Sequence, residues 1–500
     1  MQRIQPSELM TGVASVPRES AAVESDRLSP RRTDVASRDS VGAVPGLSAA
    51  SPAVVQSFPA TANPASVPPV DSVEEIGAAP RAPKGINDTG LDLLQLEQLA
   101  LRLANLACAF TTDWLTRRLG LPLKLVNELC WDLRHEKMIE IQAELSPFNH
   151  RYAITQRGRD TAARSLETSG YLGPAPVPLA QYIQLLEAQE AHRPAVTSEM
   201  ADEALRGMVL SEEAAEIATL AAASGRGLFV FGPPGNGKTT LGRALRNLMA
   251  GPLWVPHALA IDNAIVRFFD SQMHVPLPGQ EQDGRIDQRW VRVQRPFIMT
   301  GGEMTLQDLD LAYQPALKCY EAPAHVKANG GVFMIDDFGR QRVDPQQMLN
   351  RWIVPLEERV DFLTLLSGQK IRMPFKLLLI IATNLTPSDV ADPAFLRRMG
   401  YRLRVDNPTV EDYRRIFARY AASRQVELAP GLMELILARY AAENRSLRGC
   451  EPRDLIERSL DIVRLRAAPR VLNAAIVDTA WRGYFGGIPE LPASQSTVAR

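Results

Sequence analysis

Three short apolar runs predict an α/β fold: a parallel sheet flanked by helices, with a helical unit after it and a smaller helix-and-hairpin domain before it. Residues 228–231 (Leu-Phe-Val-Phe) run into a glycine-rich loop and a helix, residues 332–335 (Val-Phe-Met-Ile) into Asp336-Asp337, and residues 377–382 into Thr383-Asn384. Apolar runs of this length, bounded by turn signals, suit strands buried on both faces. Polar residues that close such strands stand at the carboxyl edge, where open α/β sheets place their ligands.

The chain has 500 residues, enough for two or three folded units and their connections. With 45% hydrophobic and 23% charged residues, it has the make-up of an ordinary globular protein with an ample core. Its 56 Lys and Arg against 57 Asp and Glu leave a net charge of -1, so no global positive field draws it to nucleic acid or an acidic bilayer. Cys108, Cys130, Cys319 and Cys450 lie far apart, with neither a CxxC pair nor clustered His. They read as buried thiols in a reducing compartment rather than a zinc site. No run reaches the length of a membrane span, and the first residues lack the apolar core of a secretory signal. A cytoplasmic protein without membrane insertion is the expectation.

Residues 1–88, rich in Ser, Ala, Pro and Val and almost without aromatics, read as a disordered segment. Residues 89–172 read as a leucine-rich helix, a short helix capped near Thr111, a turn at Gly120, a helix over 123–135, strands over 138–141 and 151–154, and a helix from Gln156. That is the element order of a winged-helix domain. Residues 173–204 combine a proline-dense linker with leading helices, 205–408 carry the apolar strands, 409–487 form a helical lid, and 488–500 a flexible tail.

Gly232-Pro233-Pro234-Gly235-Asn236-Gly237-Lys238-Thr239, with Thr240 continuing the helix, has the spacing of a phosphate-binding loop. Its glycines let backbone N–H groups wrap phosphates at the positive end of a helix. ATP and Mg2+ are therefore the expected cofactors, with Lys238 placed for the β- and γ-phosphates and the Thr239 hydroxyl for the metal. Asp336 is the expected Mg2+ partner through water, and Asp337 the group that orients the attacking water. Asn384 would stand beside the γ-phosphate and that water. A structural turn, an incidental Asp-Asp pair and a turn-starting Asn are the plain alternatives, and the three motifs occurring in one order count against them.

In order and spacing these residues resemble the AAA+ ATPase family: 232–239 as Walker A, 332–337 as Walker B and Asn384 as sensor 1. The resemblance covers residues 205–487 and implies ATP hydrolysis within a homo-oligomer, a hexameric ring. Residues 392–398 (Asp-Pro-Ala-Phe-Leu-Arg-Arg) are similar to the segment that sends an arginine finger into the neighbouring subunit's site, with Arg397 or Arg398 in that role. Residues 449–454 are similar to the sensor 2 segment, with Arg453 as its arginine. Between Arg359 and Pro374, alternating Val360, Phe362, Leu365, Ile371 and Met373 around Ser367-Gly368 resemble the pre-sensor-1 hairpin of the branch that holds MoxR-type and RuvB-type ATPases. One departure is Asp337, where most of the family carries Glu; the side chain is a methylene shorter. Glu303 is a second carboxylate, read as starting a helix over 304–311. The stretch 268–302, with His274, Arg285, Arg289, Trp290, Arg292 and Arg295, would face the pore or the substrate of a ring.

The second helix of the winged-helix-like segment carries Lys124, Arg134 and Lys137 interleaved with Glu128, Asp132 and Glu136, a near-balanced face. Duplex affinity scales with the phosphates neutralised, so a protein client is favoured over nucleic acid. A DNA-associated motor is the second reading. A nucleotide-gated switch with little turnover is the third.

Overall fold

The computed structural model describes residues 79–486 apart from 108, 250, 280–283 and 391. Of the segment expected to be disordered, 1–78 lies outside the described residues, as do Cys108 and the tail 488–500. Residues 79–88 belong to the fold: Ala82 N–H donates to the Arg285 carbonyl at 2.8 Å, and a 3-10 turn spans Ile86–Thr89.

Helices follow at Leu93–Ala104, Thr112–Leu119 and Leu123–His135, then an antiparallel hairpin of Ile139–Ser146 and Asn149–Ile154, then a helix at Gln156–Thr168. The local causes are those the sequence signals. Thr111 Oγ1 accepts the Trp114 N–H at 3.1 Å, and Gly120, in the left-handed region, ends that helix. Leu99, Leu103, Leu115, Val126, Leu129 and Ile139 share one core.

Sequence reading did not foresee the β-rich body that follows. Val177–Pro178, at the end of the proline-dense run, pairs in parallel with Ala258–Ile261. Ala264–Arg267, Cys319–Glu321 and Ala312–Gln314 extend that sheet to five strands, and Pro252–Pro256 pairs with Trp290–Gln294 beside it. The residues expected to face a pore are largely its core: Trp290, His274, Arg289 and Arg295 are buried. Arg289 is held by Asp287 at 2.8 Å and donates to the Thr89 carbonyl at 2.8 Å; Gly120 packs so closely that a Cβ there would lie 2.8 Å from the Gln288 carbonyl oxygen. Buried guanidinium groups persist only when paired in this way.

The hairpin expected before the third apolar strand is present as Val360–Thr364 and Lys370–Pro374. Its first strand, however, faces the opposite way from the apolar alternation: Phe362 is 44% exposed while Leu363 and Asp361 are buried. Asp361 turns inward because Arg351 (2.5 Å) and His325 Nε2 (2.7 Å) bond its carboxylate. The helix expected over 304–311 is instead a 3-10 turn at Gln307–Leu309. Asp308 Oδ2 accepts both the Thr305 N–H and hydroxyl at 2.8 Å, which competes with helical pairing, and Asp310 Oδ1 accepts the Thr364 N–H at 2.7 Å.

The central sheet has the α/β class and parallel strands that the apolar runs predict. Its strands are β1 (Leu228–Phe231), β2 (Phe297–Thr300), β3 (Val332–Ile335), β4 (Leu378–Thr383) and β5 (Tyr401–Arg404), in the order β2-β3-β4-β1-β5, all parallel. Because β1 lies between β4 and β5, the chain reverses its direction of winding there, which opens a crevice at the carboxyl ends. Helix α1 (Lys238–Leu248) follows β1, and α2 (Pro393–Arg398) precedes β5. Four helices, α3 (Val410–Ser423), α4 (Leu432–Ala442), α5 (Glu451–Leu465) and α6 (Ala474–Phe485), close the described chain around Tyr413, Phe417, Ile436, Ile456 and Trp481.

Candidate active site

Beyond β1 the backbone turns through Gly232, Gly235 and Gly237, all with positive φ, before α1 begins. At Gly232 no side chain fits, since a Cβ would stand 2.2 Å from the Val405 carbonyl oxygen. The turn thus presents backbone N–H groups and the start of α1 to the crevice, a donor set suited to phosphate.

Lys238, almost wholly buried, folds back over this loop. Its Nζ donates to the carbonyls of Gly232 and Pro233 at 2.8 Å and to Asn384 Oδ1 at 2.6 Å. Burial draws its ammonium below the ordinary lysine value, against the opposing pull of Asp336 and Asp337. Asn384, just beyond the end of β4, passes the connection on: its Nδ2 donates to Asp337 Oδ1 at 2.9 Å. Thr239 Oγ1 donates to Asp336 Oδ2 at 2.6 Å, so hydroxyl and carboxylate from two elements meet on one spot. Oxygen donors so paired are the kind Mg2+ selects. Residues 232–240, Asp336, Asp337 and Asn384, chosen from distant parts of the sequence, therefore converge.

Asp337 has φ +50, in the left-handed region. The conformation is fixed from both sides: Asp336 N–H donates to the Thr300 carbonyl, and Phe338 N–H to the Ala382 carbonyl, each at 2.8 Å. Asp and Asn tolerate this region better than longer side chains do, which gives a backbone reason for Asp at this position.

The arginines are less convergent. Arg398 is engaged within the chain by Glu357 (2.8 Å) and the Ala394 carbonyl (3.0 Å), whereas Arg397 lies on α2 beside it with no such bond among the described residues. Arg453, in the first turn of α5, pairs with its neighbour Asp454 at 3.0 Å. Glu303 bonds the Gly301 N–H at 2.9 Å. Sequence reasoning missed Asn407, which bonds the Asn236 side chain, the bond that Gly449 of the 449–454 segment makes to the same amide, and Met208, whose Cε lies 3.7 Å from the Cβ position of Gly237. No spacing rule links residues so far apart. Arg419 of α3 fixes the Met208 segment by donating to the carbonyls of Arg206 (2.7 Å) and Met208 (2.8 Å).

Among the described residues no helix is long and apolar enough to cross a membrane. Residues 409–483, the four-helix unit, match the family model of a domain of unknown function (DUF8689). No curated protein matches the chain. Among solved structures, the chain is similar to a point mutant of Thermotoga maritima RuvB (16% identity, 60% of this chain and 76% of that one, TM-score 0.35). It is likewise similar to the Thermotoga maritima RuvB Holliday junction branch migration motor (17%, 58% and 72%, TM-score 0.32). NtrX from Brucella abortus in complex with ADP is a third (14%, 67% and 68%, TM-score 0.36).

Proposed function

We propose that the chain is an AAA+ ATPase that binds and hydrolyses ATP with Mg2+, assembles into a ring and remodels a protein partner. The observation that carries this reading is the hydrogen-bonded line from Lys238 through Asn384 to Asp337, beside the Thr239–Asp336 pair. Mg2+ would be held by the Thr239 hydroxyl and the Asp336 carboxylate, and would supply positive charge against the negative charge that develops during phosphoryl transfer. Lys238 and the loop N–H groups hold the phosphates. Asp337 orients water and takes up its proton, and Asn384 fixes the Asp337 carboxylate in place. Arg397, outside the intramolecular pairing that engages Arg398, is the better arginine finger.

The N-terminal helices and hairpin, read as a winged helix, serve as an adaptor for the client. The burial of Arg289 and Arg295 in ion pairs takes away part of the support for a DNA motor. The test is phosphate release by the purified chain and recovery of partners on Asp337→Asn with ATP. Hydrolysis lost in Lys238→Ala, and a protein retained on the trap, are the expected results. Retention of nucleic acid alone would move the reading to a DNA motor, and absence of ATP binding would end it.

A further inference from the structure

We propose that Asn236 is a latch between the phosphate loop and the helical unit α3–α6, a positioning residue through which lid closure and nucleotide retention are coupled. The proposal rests on the nucleotide reading above. Asn236 occupies an open position in the loop's spacing, where phosphate binding itself calls for no amide. Both ends of its side chain are bonded outside the loop. Nδ2 donates to Asn407 Oδ1 at 2.8 Å, on the connection from β5 to α3, and Oδ1 accepts the Gly449 N–H at 2.9 Å, just before α5. The Gly449 N–H can only donate, so the amide has one orientation, and its two bonds are satisfied together.

Close packing accompanies these bonds. A Cβ at Gly235 would stand 2.7 Å from Cys450 Sγ, and one at Gly449 would lie 3.4 Å from the Gly235 carbonyl oxygen. The lid side of the contact is itself stiff. Glu451, buried, accepts the Arg448 N–H at 3.1 Å and the Tyr440 hydroxyl at 2.7 Å, and Tyr440 accepts the Tyr413 hydroxyl at 3.0 Å. This chain of bonds ties the start of α5 to α4 and α3. Loop, connection and lid therefore meet on one amide. A lid that swings away must break the Gly449 bond, and a loop fixed around phosphates holds that bond's acceptor still. By linkage, whatever the latch adds to lid closure it adds to nucleotide retention.

The test uses the full chain, with Asn236→Ala, Asn407→Ala and the double variant, and reads both steady-state ATP hydrolysis and amide exchange without nucleotide. A residue that holds bound nucleotide without touching reacting atoms changes ground state and transition state alike. The expected result is a KM for ATP raised about five- to tenfold in Asn236→Ala with kcat within about twofold, matching the loss of one or two hydrogen bonds. The double variant should be no worse than Asn236→Ala, and exchange over residues 445–452 should accelerate in both single variants. An unchanged KM in Asn236→Ala, with the wild type binding ATP, overturns the coupling while leaving the nucleotide reading intact. A fall in kcat at constant KM also overturns it, since that is the mark of simple misfolding. A wild type that binds no ATP sinks both readings, and the exchange data then show only whether the contact exists.

Discussion

In the proposed reaction Asp337 combines the water-orienting role with a left-handed backbone conformation in one residue. Its left-handed φ and its bond from Asn384 predict different losses for two conservative changes. Asp337→Asn keeps the backbone preference and removes the carboxylate, so phosphate release should fall about 100-fold or more while equilibrium ATP binding stays within a few-fold. Asp337→Glu keeps the charge but places a longer side chain at positive φ. Thermal unfolding should show a loss of about 1 kcal/mol, with hydrolysis lowered rather than raised. At this scale the sequence was most informative for groups the chemistry itself dictates. The convergence of Lys238, Thr239, Asp336 and Asn384 was readable because the phosphate and metal binding proposed above would demand those types in that order. The bonds to Asn236 were not: the one to Asn407 joins two side chains far apart in sequence, and the one from Gly449 uses a backbone N–H, which any residue type in the 449–454 segment except proline could supply.

The β-rich body and the hairpin show the same limit for elements. The apolar strands of the central sheet announce themselves, since a strand buried on both faces must be apolar throughout. The hairpin's first strand misleads because Asp361, a residue that alternation assigns to solvent, is buried between Arg351 and His325. Burial alone would raise its carboxyl, but the bonds from His325 and Arg351 outweigh that and hold it at about 2. Its contribution is therefore complete above the unfolded carboxylate range and is lost as pH falls toward 2. Asp361→Ala should cost about 3 kcal/mol in denaturant unfolding, because it leaves the partners' polar groups uncompensated. Two imidazoles set a second pH window. His274 Nδ1 accepts the Asp270 N–H at 3.1 Å and its Nε2 meets the Lys327 carbonyl at 2.9 Å, so the ring is held neutral. Burial lowers both His274 and His257 to about 4. The unfolded chain binds more protons between about pH 4 and 6.5, so stability should fall as pH drops through that window, by up to about 1.4 kcal/mol per pH unit for each ring. Unfolding measured across pH should show a shallower slope in His274→Asn.

At the scale of the whole molecule, the prediction concerns assembly. If Arg397 completes a neighbour's site, Arg397→Ala should retain ATP binding and lose turnover by about 100-fold or more. Mixing it with Asp337→Asn subunits should restore part of the turnover, because some junctions then join an intact Asp337 to an intact Arg397; sedimentation would give the size of the assembly. The succession of helices and hairpin over residues 93–168 was legible, but the interdependence of segments was not. Helix Leu179–Ala191, which precedes the phosphate loop, supplies Tyr182 and Leu186 to the core of the β-rich body, and Thr89 caps the guanidinium of Arg289 from the far side. A shortened chain beginning at residue 205, where the family resemblance starts, would uncover that core and remove Glu190, the carboxylate that pairs with buried Arg295 at 2.6 Å. Such a fragment should aggregate on expression, while residues 205–486 of the full chain should resist limited proteolysis only as long as the N-terminal helices stay attached.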